Sequence, residues 1–266
     1  MSSMIKVLSI GNSFSQDAHK WLNQVSKNGG EEIHCVNLYI GGCPLKAHWE
    51  NYLSDEPLYD LEINGEKTGT INISDALKMD RWDIITLQQA SPVSGKPQSY
   101  IPYLPKLAEN VRRACPNARL AIQQTWAYEQ VQTKDTLIER FERIYCSDQH
   151  EMYRRLVDAY EMAGKLINAP IIPVGKVIQR LRDNTPEFDF KATGRSLNRD
   201  GYHLDLIYGR YAAALTWYGF LTGRDVRDIT FVPYVDERQG DRDTLSLINN
   251  VVYDVLEEEK LAEQAK

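Results

Sequence analysis

The regular alternation of short apolar segments with longer amphipathic ones constrains the fold of this 266-residue chain more than any other feature. Apolar segments that we predict to be buried strands lie at residues 5–10, 32–40, 82–88, 118–124 and 170–174. Apolar residues recur at helical spacing in the stretches 16–27, 101–114, 136–167, 175–183, 204–222 and 243–264. Strands that alternate with helices form a parallel sheet covered on both faces. The pattern therefore predicts a three-layer α/β/α sandwich with a mainly parallel, five-stranded sheet.

One segment departs from this alternation. Residues 57–73 alternate in polarity around Asn64-Gly65, a dipeptide that favours the two-residue turn of a β-hairpin. We therefore predict a β-hairpin inserted between the second strand and a helix at 74–79. Because no linker-like stretch interrupts the sequence, residues 1–266 are expected to form one α/β domain.

The composition is that of an ordinary globular protein. The chain is 42% hydrophobic and 26% charged, with a net charge of −6. Its lysines and arginines form no stripe, which argues against a nucleic-acid partner. No signal-peptide pattern is visible, and no apolar run approaches the ~18 residues of a membrane span. We expect a cytoplasmic protein without a membrane partner, or a secreted or periplasmic one if a leader was removed. The oligomeric state is left open.

The four cysteines form no CxxC pair and match no zinc pattern; they are Cys35, Cys43, Cys115 and Cys146. They are expected to be reduced, partly buried thiols. Cys43 differs from the others only in following a Gly41-Gly42 turn, and no histidine stands in a recognisable partner motif for it. No cofactor is expected.

The residues that follow the strands are the candidates for chemistry, because ligands of parallel sheets bind beyond the carboxyl ends of the strands. Ser13 follows the first strand at the start of a helix. It is either the helix N-cap or a hydroxyl placed where free N–H groups favour an oxyanion. Gly42 follows the second strand, as a tight turn or as a backbone N–H that a ligand can approach.

Two amides, Gln88 and Gln89, end the third strand. A buried segment does not end in polar groups unless they reach solvent or a polar partner. One interpretation is a hydrogen bond to a neighbouring loop, and the other is an N–H donated to an oxyanion. Because alternate strand residues point to opposite faces, only one of the two is expected to point into a site.

The strongest local signal is Asp200, three residues before His203. That spacing can bring the carboxylate to the imidazole Nδ1–H, which fixes the tautomer and stabilises the imidazolium formed during catalysis. A serine hydroxyl needs such a base because it is a poor nucleophile near neutral pH. A metal site made of Asp200, His203 and Asp205 is a weaker alternative, since no fourth ligand stands at a suitable spacing.

Together these motifs resemble the SGNH (GDSL-like) hydrolase superfamily over about residues 5–222. The first block of that superfamily is similar to Gly11-Asn12-Ser13-Phe14-Ser15, with Asn12 where many members carry Asp. The second is similar to Gly41-Gly42, and the last, Asp-x-x-His, to Asp200-Gly201-Tyr202-His203. The third, usually Gly-x-Asn-Asp, is here Leu87-Gln88-Gln89-Ala90-Ser91. The chain thus resembles a divergent branch, and a flavodoxin-like fold is implied.

The resemblance implies a serine esterase that acts through an acyl-enzyme, with Ser13 as nucleophile and His203 as base, oriented by Asp200. The implied oxyanion donors are the Ser13 and Gly42 N–H groups with Gln88 or Gln89. The expected substrate is a small acyl ester, foremost an acetyl ester, with a carbohydrate as a candidate for the alcohol part. The side chains expected to line the substrate pocket are Asn12, Trp49, Trp126 and Tyr128. The alternative is a catalytically silent, carbohydrate-binding relative of the same fold.

Overall fold

The computed structural model describes residues 4–129, 146 and 148–264. Its main sheet has seven strands: β1 (Ile5–Gly11), β2 (Ile33–Tyr39), β3 (Tyr59–Ile63), β4 (Glu66–Ile71), β5 (Ile84–Leu87), β6 (Arg119–Gln123) and β7 (Ile171–Ile172). A separate two-stranded ladder pairs β8 (Tyr234–Val235) with β9 (Arg238–Gln239).

The α-helices described are α1 (Ser13–His19), α2 (Leu22–Asn28), α3 (Leu45–Ser54), α4 (Ile73–Lys78), α5 (Tyr103–Ala114), α6 (Gln149–Ile167), α7 (Val174–Asn184), α8 (Phe190–Thr193), α9 (Tyr208–Thr222) and α10 (Arg242–Gln264). Short 3₁₀ segments occupy Ser91–Val93, Pro97–Tyr100, Pro186–Phe188 and Val226–Asp228. The part of the predicted helix 136–167 that precedes Cys146 lies outside the described residues. None of the described helices is long and apolar enough to cross a membrane.

The strand order in the sheet is β4-β3-β2-β1-β5-β6-β7. The five neighbouring strands β2, β1, β5, β6 and β7 run parallel to one another. Their near-continuous apolar sequences follow from burial on both faces. Helices α3, α4, α5 and α6 contact one another in one group, and α1, α2, α7, α9 and α10 in another. The predicted α/β/α architecture is thereby confirmed.

The predicted strand count of five is corrected to seven, because the hairpin joins the main sheet. Strand β3 pairs antiparallel with β2, and β4 pairs with β3. Asn64 and Gly65 both have positive φ, at 51° and 82°, as the tight hairpin turn requires. The pairing satisfies the edge of β2, which would otherwise expose a row of backbone donors and acceptors.

The predicted helix at 16–27 is two short helices, α1 and α2, joined near Lys20 and Trp21. The helix predicted from residue 204 begins only at Tyr208. Residues 198–207 before it form a loop, closed by a bridge between Asn198 and Leu204. Asp200 and His203, which the sequence placed just before a helix, therefore lie in a loop and not in a helical turn.

Candidate active site

The turn between β1 and α1 presents Ser13 as the first residue of the helix. Asn12 is the N-cap, because its side-chain oxygen accepts the Phe14 N–H at 3.0 Å. The Ser15 hydroxyl in turn accepts the Asn12 N–H at 3.1 Å, which completes a capping box. With the cap supplied by Asn12, the Ser13 hydroxyl is not used to start the helix. The N-cap interpretation of Ser13 is therefore corrected.

His203 reaches this turn from the loop that precedes α9. Its Nε2 lies 2.8 Å from Ser13 Oγ, although 190 positions separate the two residues. Its Nδ1 lies 2.7 Å from Asp200 Oδ2. Gly201, with φ of +86°, makes the sharp turn between Asp200 and His203, in a conformation that glycine adopts at little cost.

The hydrogen bonds fix the protonation pattern of this trio. An ionised carboxylate can only accept, so Nδ1 carries the proton that it donates to Asp200. In the neutral ring Nε2 is then the acceptor, and the Ser13 O–H donates to it. This is the arrangement that a general base needs in order to take a proton from a serine.

Asp200 stays ionised in this setting. Partial burial alone would raise the pKa of its carboxyl, but hydrogen bonds from the His203 ring and from the backbone N–H groups of His203 and Tyr202 lower that pKa below its ordinary value. Both carboxylate oxygens are thus occupied by donors that orient the histidine.

The turn after β2 places Gly42 in the lining of the same cleft as Ser13. Gly42 has a positive φ of 64°, in the region that favours glycine. The next residue, Cys43, offers its carbonyl oxygen to the Asn12 side-chain N–H at 3.1 Å. Asn12 therefore ties the two turns to each other, which a carboxylate at position 12 could not do because it has no N–H to donate.

The two glutamines take different places. Gln88 donates its amide to Asn12 Oδ1, so it supports the Asn12 turn from the strand behind it. Gln89 donates both amide hydrogens, to the Ser99 carbonyl and hydroxyl at 2.9 and 3.0 Å. Its Oε1 accepts the Leu45 N–H. Gln89 is therefore corrected from an oxyanion donor to a loop anchor, because it has no N–H left to give.

An open cleft of about 510 Å³ lies over this trio. Its walls are formed by Asn12, Ser13, Phe14, Tyr39, Gly41, Gly42, Ser91, Pro92, Tyr128, Tyr202 and His203. Across it, Ser91 Oγ lies 2.8 Å from the Tyr128 hydroxyl. The volume is typical of sites for small molecules.

Neither tryptophan expected in the pocket lines the cleft, and both expectations are corrected. Trp126 is completely buried, stacked on Phe14 with ring centroids 4.1 Å apart, and its indole N–H donates to the Tyr202 carbonyl at 2.6 Å. It supports the site from behind. Trp49 packs on Tyr52 of the same helix, with the Lys106 ammonium 5.2 Å from its ring.

Asp205 is occupied by the start of α9. Its carboxylate accepts the backbone N–H groups of Ile207, Tyr208 and Gly209 at 2.6–3.0 Å. Because its carboxylate oxygens already accept these N–H groups, Asp205 is not placed to bind a metal ion together with Asp200 and His203. Within the described residues, no group of three or more His, Cys, Asp or Glu side chains is placed to hold a metal ion.

The family model described as Domain of unknown function (DUF4886) matches residues 6–247. This chain belongs to the DUF4886 family. A crystal structure of a DUF4886 family protein from Bacteroides uniformis is 37% identical in sequence. The match covers 96% of this chain and 95% of that one, with a TM-score of 0.82. No curated protein shows significant sequence similarity to this chain.

Two more distant structures show which wider fold this DUF4886 chain has. A proposed SGNH hydrolase from Slackia heliotrinireducens is 19% identical over 82% of this chain and all of that one, at a TM-score of 0.55. A proposed GDSL-like lipase from Parabacteroides merdae is 12% identical over 84% of this chain and 97% of that one, at 0.52. At these identities the likeness concerns the fold, which is that of the SGNH hydrolases.

Sequence reasoning missed two tyrosines that line the cleft of this DUF4886 protein. Tyr39 is the last residue of β2, and Tyr202 stands directly before His203. The Tyr202 ring lies 4.2 Å from the His203 ring, centroid to centroid. Both lie at the carboxyl edge of the sheet, Tyr39 at a strand end and Tyr202 in a loop. The rule that ligands bind beyond the carboxyl ends of parallel strands could therefore have indicated them, as it indicated Ser13.

Proposed function

We propose that this protein is a serine esterase that hydrolyses small acyl esters, with acetyl as the acyl group and a carbohydrate as the preferred alcohol. One observation carries the proposal: Ser13 Oγ, the His203 ring and the Asp200 carboxylate form a continuous hydrogen-bonded chain of 2.8 and 2.7 Å at the floor of an open cleft. This is the geometry by which a serine nucleophile is activated.

In the proposed reaction, Ser13 Oγ attacks the ester carbonyl while His203 Nε2 takes the hydroxyl proton. Asp200 holds the Nδ1 proton and stabilises the imidazolium that results. The tetrahedral intermediate collapses as His203 returns the proton to the leaving alcohol, which leaves an acyl-enzyme on Ser13. Water then attacks the acyl group with His203 again as base, and the acid is released with Ser13 restored.

The proposed oxyanion donors are the backbone N–H groups of Ser13 and Gly42. Ser13 is the first residue of α1, whose free N–H groups and dipole favour negative charge. Gly42 lines the same cleft on the neighbouring turn. Gln88 contributes to this site through Asn12, which its amide supports and which in turn holds the turn after Gly42.

The shape and lining of the cleft support a small, hydroxyl-rich substrate. The rings of Tyr39, Tyr128 and Tyr202 combine flat apolar faces with hydroxyls, as suits the faces and edges of sugar rings. A volume of about 510 Å³ accommodates a short acyl group together with one saccharide unit.

The proposal is tested by comparing hydrolysis of acetyl and octanoyl p-nitrophenyl esters by the purified protein, with Ser13→Ala as the control. We expect a higher kcat/KM on the acetyl ester, no hydrolysis above background by the variant, and full activity in EDTA. A preference for the octanoyl ester would overturn the acyl assignment. Saccharide binding without any hydrolysis would identify a silent carbohydrate-binding relative instead.

A further inference from the structure

A buried carboxylate that the proposed reaction does not use lies one helical turn beyond the nucleophile. Asp17 stands four residues after Ser13 on α1, and its side chain is completely buried. Its Oδ1 accepts from Arg199 Nη1 at 3.0 Å and from Arg210 Nε at 2.8 Å. Its Oδ2 accepts the backbone N–H of Leu204 at 2.8 Å.

All three partners of Asp17 come from the chain around the base. Arg199 and Leu204 are the first and last residues of the segment 199–204, which contains Asp200 and His203, and Arg210 lies on the helix that follows it. Arg199 also binds within this segment, because its guanidinium donates to the Leu204 carbonyl and its N–H to the His203 carbonyl at 3.0 Å. The backbone on both sides of His203 is thus attached to the helix that begins at Ser13.

This attachment is directional as well as strong. Burying a carboxylate completely is costly unless charged and hydrogen-bonding partners surround it. Guanidinium groups supply them in a planar, fixed geometry, and charge-assisted bonds are short. A shift of the segment 199–204 relative to α1 would leave the Asp17 carboxylate buried without its donors. The arrangement therefore resists any motion that lengthens the Ser13–His203 distance.

We propose that Asp17 is a positioning residue that holds the segment 199–204, and with it the His203 ring, at hydrogen-bond distance from Ser13. The inference rests on the esterase function proposed above. Asp17 acts through His203 and contacts neither substrate nor the reacting atoms.

The test uses Asp17→Asn, which keeps the shape and one acceptor oxygen but removes the charge. We expect kcat for p-nitrophenyl acetate to fall by about 10²-fold, the scale of loss for a misplaced catalytic group, with KM little changed. In a His203→Ala background the same substitution should cost nothing more, because the group that it positions is gone. Equal losses in both backgrounds would overturn the inference.

A control variant separates positioning from stability. Tyr211→Phe on α9 removes a buried hydrogen bond of 2.7 Å from the Tyr211 hydroxyl to Asn249 of α10. It should lower the Tm while leaving kcat unchanged. If Asp17→Asn does not fold, Arg210→Gln removes only one of the donors to Asp17 and should give the same selective loss of kcat in smaller measure. An unchanged kcat in Arg210→Gln would contradict the proposal.

A second readout needs no turnover. Hydrogen exchange of the Leu204 amide should be faster in Asp17→Asn than in the wild type, while amides of β1 and β5 keep their protection. Unchanged protection of Leu204 would contradict the positioning role even if the wild type is an active esterase. Loss of protection in a protein without esterase activity would instead contradict the proposed function alone.

Discussion

Two serines, Ser9 on β1 and Ser13 at the start of α1, each lie within hydrogen-bond distance of a histidine, but the two pairs differ in their surroundings. Ser13 Oγ and His203 Nε2 are 2.8 Å apart, and Ser9 Oγ and His19 Nε2 are 3.0 Å apart. Distance alone therefore does not distinguish them. The first pair opens onto a cleft, whereas Ser9 and His19 are each only 1% exposed.

The difference lies in what surrounds each imidazole. His203 has a carboxylate on Nδ1, whereas His19 Nδ1 has no hydrogen-bond partner among the residues that the structure describes. Burial lowers the pKa of His19 to about 3, so that this ring remains neutral and cannot readily accept a proton. A serine next to a histidine becomes a nucleophile only where the imidazolium can be stabilised and substrate can enter.

The same lesson applies to Cys43, which has a histidine neighbour that the sequence did not reveal. Its Sγ lies 3.5 Å from His48 Nδ1, and that nitrogen lies 2.8 Å from the Tyr59 hydroxyl. Burial raises the pKa of the Cys43 thiol to about 12 and lowers that of His48 to about 3. The thiol therefore stays protonated, and the trio packs the core beside the site.

The largest difference between the two pairs is expected when each serine is removed in turn. Ser13→Ala should lower kcat on p-nitrophenyl acetate by on the order of 10⁴–10⁶, because no other serine among the described residues that line the cleft has a histidine and carboxylate beside it. Ser9→Ala should keep full activity. Its free energy of unfolding should fall by about 1–3 kcal/mol, because the buried hydrogen-bond partners of Ser9 are left unpaired. Steady-state kinetics and chemical denaturation measure the two effects. Equal loss of activity in both variants would contradict the distinction.

Replacing Asp200 leaves the His203 ring without a carboxylate on Nδ1, as is the case for His19. Asp200→Asn should lower kcat by about 10⁴, since the amide can no longer stabilise the imidazolium or fix the tautomer. The folded protein should persist, because more than a third of the Asp200 side chain, 39%, is exposed to solvent. Kinetics together with circular dichroism check this. A fall of less than tenfold would show that the acid is not part of the mechanism.

Asn12, which lies between Ser9 and Ser13 in the sequence, allows the turn before Ser13 to be tested by itself. Asn12→Asp introduces the residue that many SGNH relatives carry, yet it should lower kcat by about 10² here. The carboxylate would face the Cys43 carbonyl, displace the turn that holds Gly42, and so weaken one oxyanion donor. Asn12→Ala serves as the matched variant without charge. Wild-type kcat in Asn12→Asp would contradict this account of the turn.

The smallest expected effect concerns the pH dependence of stability. His19 and His48 have folded-state pKa values of about 3, against about 6.5 in the unfolded chain. Between these values only the unfolded state binds the proton, so the free energy of unfolding should fall as the pH decreases from about 6.5 towards 3. Each ring contributes a slope of about 1.4 kcal/mol per pH unit.

His19→Gln isolates one of these contributions. The slope of the free energy of unfolding against pH, from urea titrations at several pH values, should be about 1.4 kcal/mol per pH unit smaller in the variant than in the wild type. An identical slope would mean that His19 is protonated in the folded protein, and the contrast with His203 would fail.

Much of the architecture was predictable because it follows from periodicity and topology. The parallel strands place every βα turn at one edge, so Ser13 and His203 could be expected there together despite their separation in sequence. The Asn64-Gly65 turn predicted the hairpin, but not its pairing with β2. That pairing depends on which edge of the sheet is open, and one hairpin sequence does not contain this information.

The site was harder to predict where a side chain's partners come from distant segments. Gln89 lies next to Gln88, yet its side-chain amide forms hydrogen bonds with Leu45 and Ser99 and does not line the cleft. Trp126 is buried by Phe14 and by the Tyr202 carbonyl, which no local pattern indicates. Asp17 had no motif at all, because its donors lie more than 180 positions away.

The proposed mechanism requires that Ser13, and not another serine, is the nucleophile activated by His203. It is tested most directly by treating the protein with a fluorophosphonate probe and mapping the adduct by peptide mass spectrometry. We expect one adduct, on Ser13, whose formation is abolished in His203→Ala and unaffected in Ser9→Ala. Absence of labelling in the folded wild type, or an adduct on any other serine, would contradict it.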